Sequence, residues 1–469
     1  MPPLQPSRAR RTVTLPARAV PVVAEPDVLV VGGGPAGIGA ALGAAAAGAQ
    51  VVLTERYGFL GGNATAALVM PLMSFHTARP APPAANPLMP QDHGPGEPVV
   101  AGALRTLLDR LVAGAGAVEP SAGTGYTVPF DPEVLKSVAL DLLDAAGVRF
   151  LLHALAVDVA DGSPRSVVFA TKSGLVAIAA RAVVDCTGDG DVAALAGAPY
   201  EVGRPEDHLV QPMTLMFRVV GFDAGRFRAY VDGHPGQWRG VHGLWDLVRE
   251  ATEAGDLRLA REDVLFFGTP HPGEISVNST RVTGVLGTSV WDWTRAEWES
   301  RRQMREIAAF LRRYVPGFEK AYVAQSGVHT GVRETRRVLG RYTLTVDDVL
   351  GARKFDDVIA RGAYPVDIHN PGGRGTTLRR LPAGEAYDVP LRCLLPRSVD
   401  GLLVAGRCLS GTHEAHSSYR VMPVAMATGQ AAGVCAALAA RGERSPGDVA
   451  VAAVQQELRR QGADLGRDR

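Results

Sequence analysis

Cysteine is scarce in this chain: four residues in 469, at Cys186, Cys393, Cys408 and Cys435. None is spaced as Cys-x-x-Cys, which excludes a zinc ribbon and a thioredoxin-like dithiol. So few thiols suit a reducing compartment, and the expected location is the cytoplasm. An excess of either charge is also missing: 49 Lys and Arg stand against 48 Asp and Glu, a formal net charge of +1. A general nucleic-acid surface needs a basic excess and is not expected. No apolar run reads as long enough to span a bilayer, so no membrane contact is expected either. Arg10 and Arg11 are not followed by the apolar stretch of a twin-arginine export signal, because Arg18 and several prolines break it. There is no internal repeat, and no group of His, Cys, Asp and Glu has metal-ligand spacing.

What remains is a globular composition, 46% hydrophobic and 21% charged, in a chain long enough for about two domains. The most informative stretch is "VLVVGGGPAGIGAALGAAAAGAQVVLTE", residues 28–55. It reads as strand, glycine turn, helix and second strand, with Gly48 closing the helix. Gly32, Gly34 and Gly37 form G-x-G-x-x-G directly after the first strand. The first glycine permits the tight turn, the second lets backbone approach a pyrophosphate, and the third lets helix and strand pack closely. The helix N-terminus offers free N–H groups to phosphates. Glu55 ends the second strand, where a carboxylate meets ribose hydroxyls. The whole unit reads as a dinucleotide site.

Three later features favour FAD over NAD. "ERYGFLGGNAT" follows the acid at once, and Gly61-Gly62 give a second close backbone approach. "DCTGDGD", residues 185–191, ends a buried strand in glycines and acids. "GLLVAGR" and the helix from Pro423 bring the chain back to the nucleotide fold near its end. Met422, just before Pro423, is a poor side-chain cap, so that helix keeps its N–H groups for a ligand such as reduced flavin. Nucleotide-fold pieces thus occur near the start, middle and end. The expected fold is α/β: a discontinuous Rossmann-like FAD-binding domain with an inserted α+β substrate domain. The expected divisions are a lead-in at 1–24, FAD-binding segments at 25–78, 129–200 and 391–445, a loop or lid at 79–128, the substrate domain at 201–390, and a C-terminal helix and tail at 446–469.

The motifs "VVGGGPAGIGAA", "ERYGFLGGNAT", "DCTGDGD" and "GLLVAGRCLSGTHEAHSSYRVMPVAMATGQAAG" together resemble the FAD-dependent oxidoreductases of the glutathione reductase-type flavoprotein superfamily. Within it the sequence is similar to the family related to the flavoprotein subunits of fumarate reductase and succinate dehydrogenase. "GVRETRRVLGRYTLTVDDVL" and "FDDVIARGAYPVDIH" share that resemblance, which covers roughly residues 20–440. The FAD is expected to be noncovalent, and the resemblance implies a Rossmann-like FAD domain, an inserted substrate domain and hydride transfer at flavin N5. It carries the cofactor contacts onto Gly32, Gly34, Pro35, Ala36, Gly37, Glu55, Arg56, Gly61, Gly62, Asn63, Thr65, Gly188, Asp189, Gly406, Arg407 and Met422. The chain departs from the pattern in two ways. It has no second glycine fingerprint for NADH, and it lacks the "HGANR" arrangement of the fumarate reductases.

Candidate chemistry falls where the substrate domain should meet the flavin. His413, His416 and Arg420 precede the flavin-facing helix, where a histidine serves as acid or base and an arginine grips a carboxylate. In "YPVDIH", Asp367 and His369 face one side of an extended segment, and Asp367 can orient the imidazole. Arg333 leads an arginine run able to bind an anion. His76 is out of place for a covalent flavin link, and no metal is expected. The expected reaction is hydride transfer between flavin N5 and a small polar organic substrate. The alternatives are an oxidase or monooxygenase using oxygen, and a subunit passing electrons to a partner protein. A redox partner or homo-oligomer is compatible with the absent NADH domain.

Overall fold

In a computed structural model the protein is described over residues 12–73, 75–79, 95–120, 127–160, 165–259, 261–373 and 375–466. Residues 80–94 of the expected lid and the Arg10-Arg11 pair lie outside them. A five-stranded sheet organises the fold. Its strands are β1 (Val28–Val31), β2 (Val51–Thr54), β3 (Arg149–Leu151), β4 (Ala182–Asp185) and β5 (Leu402–Val404). They lie side by side in the order β5-β4-β1-β2-β3, and every pair is parallel. β1, β2, β4 and β5 are buried along their whole length. A parallel sheet covered on both faces needs such continuous apolar runs, which "VLVV", "VVLT" and "LLV" supply.

Helix α1 (Pro35–Ala46) connects β1 to β2. Gly48 follows it in the left-handed conformation, φ +87°. Helix α2 (Pro132–Ala145) leads into β3 and begins as the sequence indicates: the Asp131 side chain accepts from the Glu133 N–H, with Pro132 in the first turn. Leu155–Val159, Ser166–Thr171 and Gly174–Ala179 form three antiparallel strands, the last two joined by a turn at Lys172-Ser173, and Val22–Ala24 pairs in parallel beside them.

A second, all-antiparallel sheet of six strands uses residues 217–326 and is backed by helix α3 (Val290–Tyr314). It has its own apolar cluster, with Phe217, Phe266, Phe310 and Phe318 at its centre. Past β5 come the short helix α4 (His413–Tyr419) and the long helix α5 (Met422–Arg441). By length and composition α5 is apolar enough to cross a membrane, which corrects the sequence expectation that no run is. Here it is a core helix, with nearly every residue from Pro423 to Ala440 buried.

α5 packs on α1 through glycines on both helices. A Cβ at Gly39 or Gly43 would strike the carbonyls of Met426 or Gln430. A Cβ at Gly429 or Gly433 would strike those of Ala36 or Ala40. Two small-x-x-x-small faces therefore bring the backbones into contact and hold α5 directly over the glycine turn.

Candidate active site

The turn between β1 and α1 is fixed from both sides. Gly32 sits at φ +102°, and its N–H donates to the Thr54 carbonyl at 2.8 Å. A Cβ on Gly37 would overlap the Gly32 carbonyl, so the third glycine is the packing glycine. Gly34 caps α1 without any side-chain hydrogen bond, leaving first-turn N–H groups for a ligand. A Cβ on Gly62 would lie 2.9 Å from the Gly34 Cα, so two bare backbones face each other at the cleft wall.

Glu55 closes the far side. Its carboxylate accepts from the Gly33 N–H at 2.7 Å and the Tyr57 N–H at 3.0 Å. Burial raises its pKa, and these backbone donors pull against that rise. The acid thus clamps the glycine turn, and each oxygen keeps lone pairs for hydroxyl donors.

The "DCTGDGD" loop hangs from Asp185, which is fully buried. Its carboxylate accepts from Thr187 N–H and Oγ1 and from the Ala193 N–H. Asp189 does not line the cleft. It accepts from Thr335 Oγ1 and from Arg407 Nη2, both at 2.7 Å, and thereby aims Arg407. Arg407 Nη1 is buried and has no partner among the described residues. Asp191 is pushed up to about 6, first by burial and then by Asp189 and Asp185, against its ion pair with Arg336.

These parts enclose a cleft of about 950 Å³. Of the expected cofactor contacts, Gly32, Gly34, Pro35, Ala36, Glu55, Arg56, Gly62, Asn63, Gly188, Gly406, Arg407 and Met422 line it. Gly37, Gly61, Thr65 and Asp189 do not. Thr65 instead donates to the Leu60 carbonyl and shapes the Gly61-Gly62 turn. Tyr57, inside "ERYGFLGGNAT", also lines the cleft, as do Ala154, Ala156 and His329, which no sequence signal marks. α5 starts one residue earlier than expected, with Val421 as its cap and no side-chain cap bond. Bare backbone, a buried acid, an uncapped helix and an orphaned guanidinium N–H fit an extended dinucleotide such as FAD.

A second chamber of about 2230 Å³, its mouth included, adjoins the first. Asn63, Arg407, Arg420 and Met422 line both. Arg333, Tyr364, Asp367 and His369 line the second. Asp367 accepts from the Tyr364 hydroxyl at 2.9 Å, with Arg420 at 3.5 Å and His369 Nε2 at 3.6 Å. The last distance is too long for a hydrogen bond. Burial raises Asp367, but His369 when protonated, then Arg420 and Arg333, outweigh it and hold the carboxyl well below the usual carboxylate range. His369 is pulled down to about 4, chiefly by burial and then by Arg333.

His413 and His416 are placed elsewhere, and neither lines a chamber. His413 Nδ1 bonds the buried Glu334 carboxylate at 2.9 Å, and Arg337 pairs with the same carboxylate at 2.5 Å. His416 is fully buried, and neither ring nitrogen has a partner among the described residues. Of the arginine run, only Arg333 reaches the chamber. Arg336 and Arg337 are taken by Asp191 and Glu334, and Arg341 by the Gly447 carbonyl. His76 lines neither chamber, and Cys408 is buried with its thiol pushed up.

Several solved flavoenzymes are distantly similar. The geranylgeranyl bacteriochlorophyll reductase-like protein of Thermoplasma acidophilum is 14% identical, with a TM-score of 0.41 over 94% of this chain and 84% of that one. Anhydrotetracycline hydroxylase OxyS of Streptomyces rimosus is 12% identical, with a TM-score of 0.42 over 93% and 66%. The p-nitrophenol 4-monooxygenase of Pseudomonas putida is 14% identical, with a TM-score of 0.37 over 68% and 70%. Among curated proteins none matches. The model of the FAD dependent oxidoreductase family matches residues 27–458, and the chain belongs to that family: it is an FAD-dependent oxidoreductase enzyme.

Proposed function

We propose that the enzyme transfers a hydride between flavin N5 and a small polar organic substrate held in the second chamber, with FAD bound noncovalently in the first. The observation that carries this reading is the shared wall: Asn63, Arg407, Arg420 and Met422 belong to both chambers. When bound, FAD supplies the hydride acceptor or donor. The glycine turn and the start of α1 hold its phosphates, and Glu55 its ribose. Arg407, aimed by Asp189, offers an N–H at the junction. Arg420 and Arg333 bind and orient the substrate. His369 is neutral near pH 7 and is the proton acceptor, with Asp367 and Tyr364 fixing its strand. The acid–base role expected of His413 and His416 passes to His369, because both lie outside the chamber. In this reading the six-stranded sheet is the substrate domain. The motifs at 331–350 and 355–369 support kinship with the fumarate reductase and succinate dehydrogenase flavoproteins.

The visible spectrum of the purified protein, repeated on the supernatant after denaturation, tests the cofactor. Flavin bands moving wholly to the supernatant support noncovalent FAD, and bands staying with the precipitate overturn it. Anaerobic titration with organic substrates then tests the reaction. Bleaching that His369→Gln slows about a hundredfold or more is expected. Bleaching at an unchanged rate removes His369 as the proton acceptor. Reoxidation by air faster than by any organic acceptor favours the oxygen-using alternative.

A further inference from the structure

The guanidiniums facing the second chamber do not all have carboxylates. Arg261 pairs with Asp263, Arg407 with Asp189, and Arg420 reaches Asp367. Arg281 and Arg333 have only main-chain carbonyls. Arg281 Nη2 donates to Asn370 at 3.1 Å and to Gly375 at 3.0 Å, and Arg333 Nη1 donates to Pro212 at 2.7 Å. Arg281 is 6% exposed, and its Nε is buried without a partner. No carboxylate among the described residues lies within ion-pair distance of either. The carbonyls fix how each fork points but bring no negative charge.

A buried cation without a counter-ion is costly, and the cost is met by pairing with an anion or by losing the proton. The strain registers at Arg333, which burial and then Arg420 pull down to about 9, with Asp367 opposing and Arg281 adding to the fall. Arg281 and Arg333 therefore have no ion-pair partner among the described residues, while Asp263 and Asp367 in the same chamber are taken by Arg261 and Arg420. Part of its wall is apolar, made by Met70, Met73, Val241, Trp245, Leu265 and Phe267, beside the polar His242, Glu262, Asp263, Asn278 and Arg380. Arg333, with only Nη1 committed, keeps a planar fork that matches a carboxylate through two parallel hydrogen bonds, and Arg281, with Nη2 committed, keeps single donors.

We infer that the second chamber binds a carboxylic acid with an apolar body, its carboxylate held by Arg281 and Arg333 and its body against the methionine and aromatic wall. This rests on the reading of the chamber as the substrate site and narrows it from a polar molecule to an amphiphilic acid.

The test is calorimetric titration of the FAD-loaded full chain with octanoate, octanamide and octyl phosphate. Octanoate is expected to bind about tenfold or more tighter than octanamide. Arg281→Met and Arg333→Met are each expected to lose about tenfold for octanoate and to leave octanamide and FAD content unchanged. Arg281→Lys and Arg333→Lys keep the charge without the fork and serve if the methionine variants fail to fold; they are expected to retain part of the affinity. Equal binding of acid and amide, no octanoate binding at millimolar concentration, or arginine variants without effect overturns the inference. Octyl phosphate binding far tighter than octanoate replaces the carboxylate with a phosphate and also overturns it. Arginine-dependent octanoate binding without bleaching by any organic acid leaves the anion site standing and sinks hydride transfer. Bleaching by neutral substrates that ignores both arginines does the reverse.

Discussion

Glu55 and His413 show how one buried acid and one buried base acquire different duties. Glu55 spends its carboxylate on two backbone N–H groups and still borders the cofactor cleft. Glu55→Ala should therefore weaken FAD and the glycine turn together. The expected loss is about 2 kcal/mol or more in FAD binding, read by flavin fluorescence on dilution. Undiminished affinity would remove the ribose contact. His413 serves a buried carboxylate that also pairs with Arg337 and accepts from the Gln211 N–H. His413→Ala is expected to lower unfolding free energy by about 1–3 kcal/mol, because Glu334 loses a donor in a dry site. The rate of flavin reduction per folded molecule should stay near that of the parent. A rate collapse in a fully stable variant would return His413 to the chemistry. From sequence alone the two histidines of "GTHEAHSSYR" look equivalent to any others near a flavin. Their burial depends on Glu334 and Arg337, which arrive from another part of the chain.

At the scale of elements, the α1–α5 pair is the support of the cleft. Neither helix has a polar stripe to orient it, and the contact is made by backbone against backbone. Gly433→Leu should destabilise the protein by about 3 kcal/mol or more and release FAD in parallel, read by thermal unfolding and free flavin. A cleft that kept its flavin while unfolding early would show that α5 is not its roof. The strand–turn–helix–strand unit at 28–55, the capped α2 and the hairpin at Lys172-Ser173-Gly174 were legible because each is specified by neighbours in sequence. The apolar length of α5 is written in the sequence too, at a mean hydropathy of 1.4; its burial against α1 is not. The second chamber was only half legible. His369, Arg420 and Arg333 were marked by motifs, whereas Arg281, Met70 and Trp245 converge only through the tertiary fold.

Across the whole molecule, histidines lowered by burial link stability to pH: His416 and His76, and the two that line the chambers. His329 in the cofactor cleft and His369 in the second chamber are each lowered from 6.5 to about 4, chiefly by burial. The unfolded chain binds the extra protons between those values and the folded chain does not. Their contribution to stability is therefore full above about pH 6.5 and is lost as pH falls toward 4, while Asp191, raised to about 6, acts in the opposite direction. Each histidine contributes at most ~3 kcal/mol. Asp367 acts outside this window, since its depressed pKa matters only below 3.8. Urea midpoints measured from pH 7 to 4.5 should fall steeply in the parent and more gently in a His329→Gln, His369→Gln double variant. Parallel slopes would mean that other groups set the acid limit.

The order β5-β4-β1-β2-β3 has a consequence for synthesis on the ribosome. β4 joins β1 on one side and waits for β5 on the other, and α1 waits for Met422–Arg441. At typical elongation rates that interval lasts roughly 20–75 s. Throughout it the nascent chain carries a bare glycine–alanine helix and an open sheet edge, the surfaces that invite wrong pairing. Flavin capture is therefore a late event in the life of each polypeptide. Ribosomes that stall before codon 422 should release chains that are colourless and dependent on chaperones, not smaller flavoproteins.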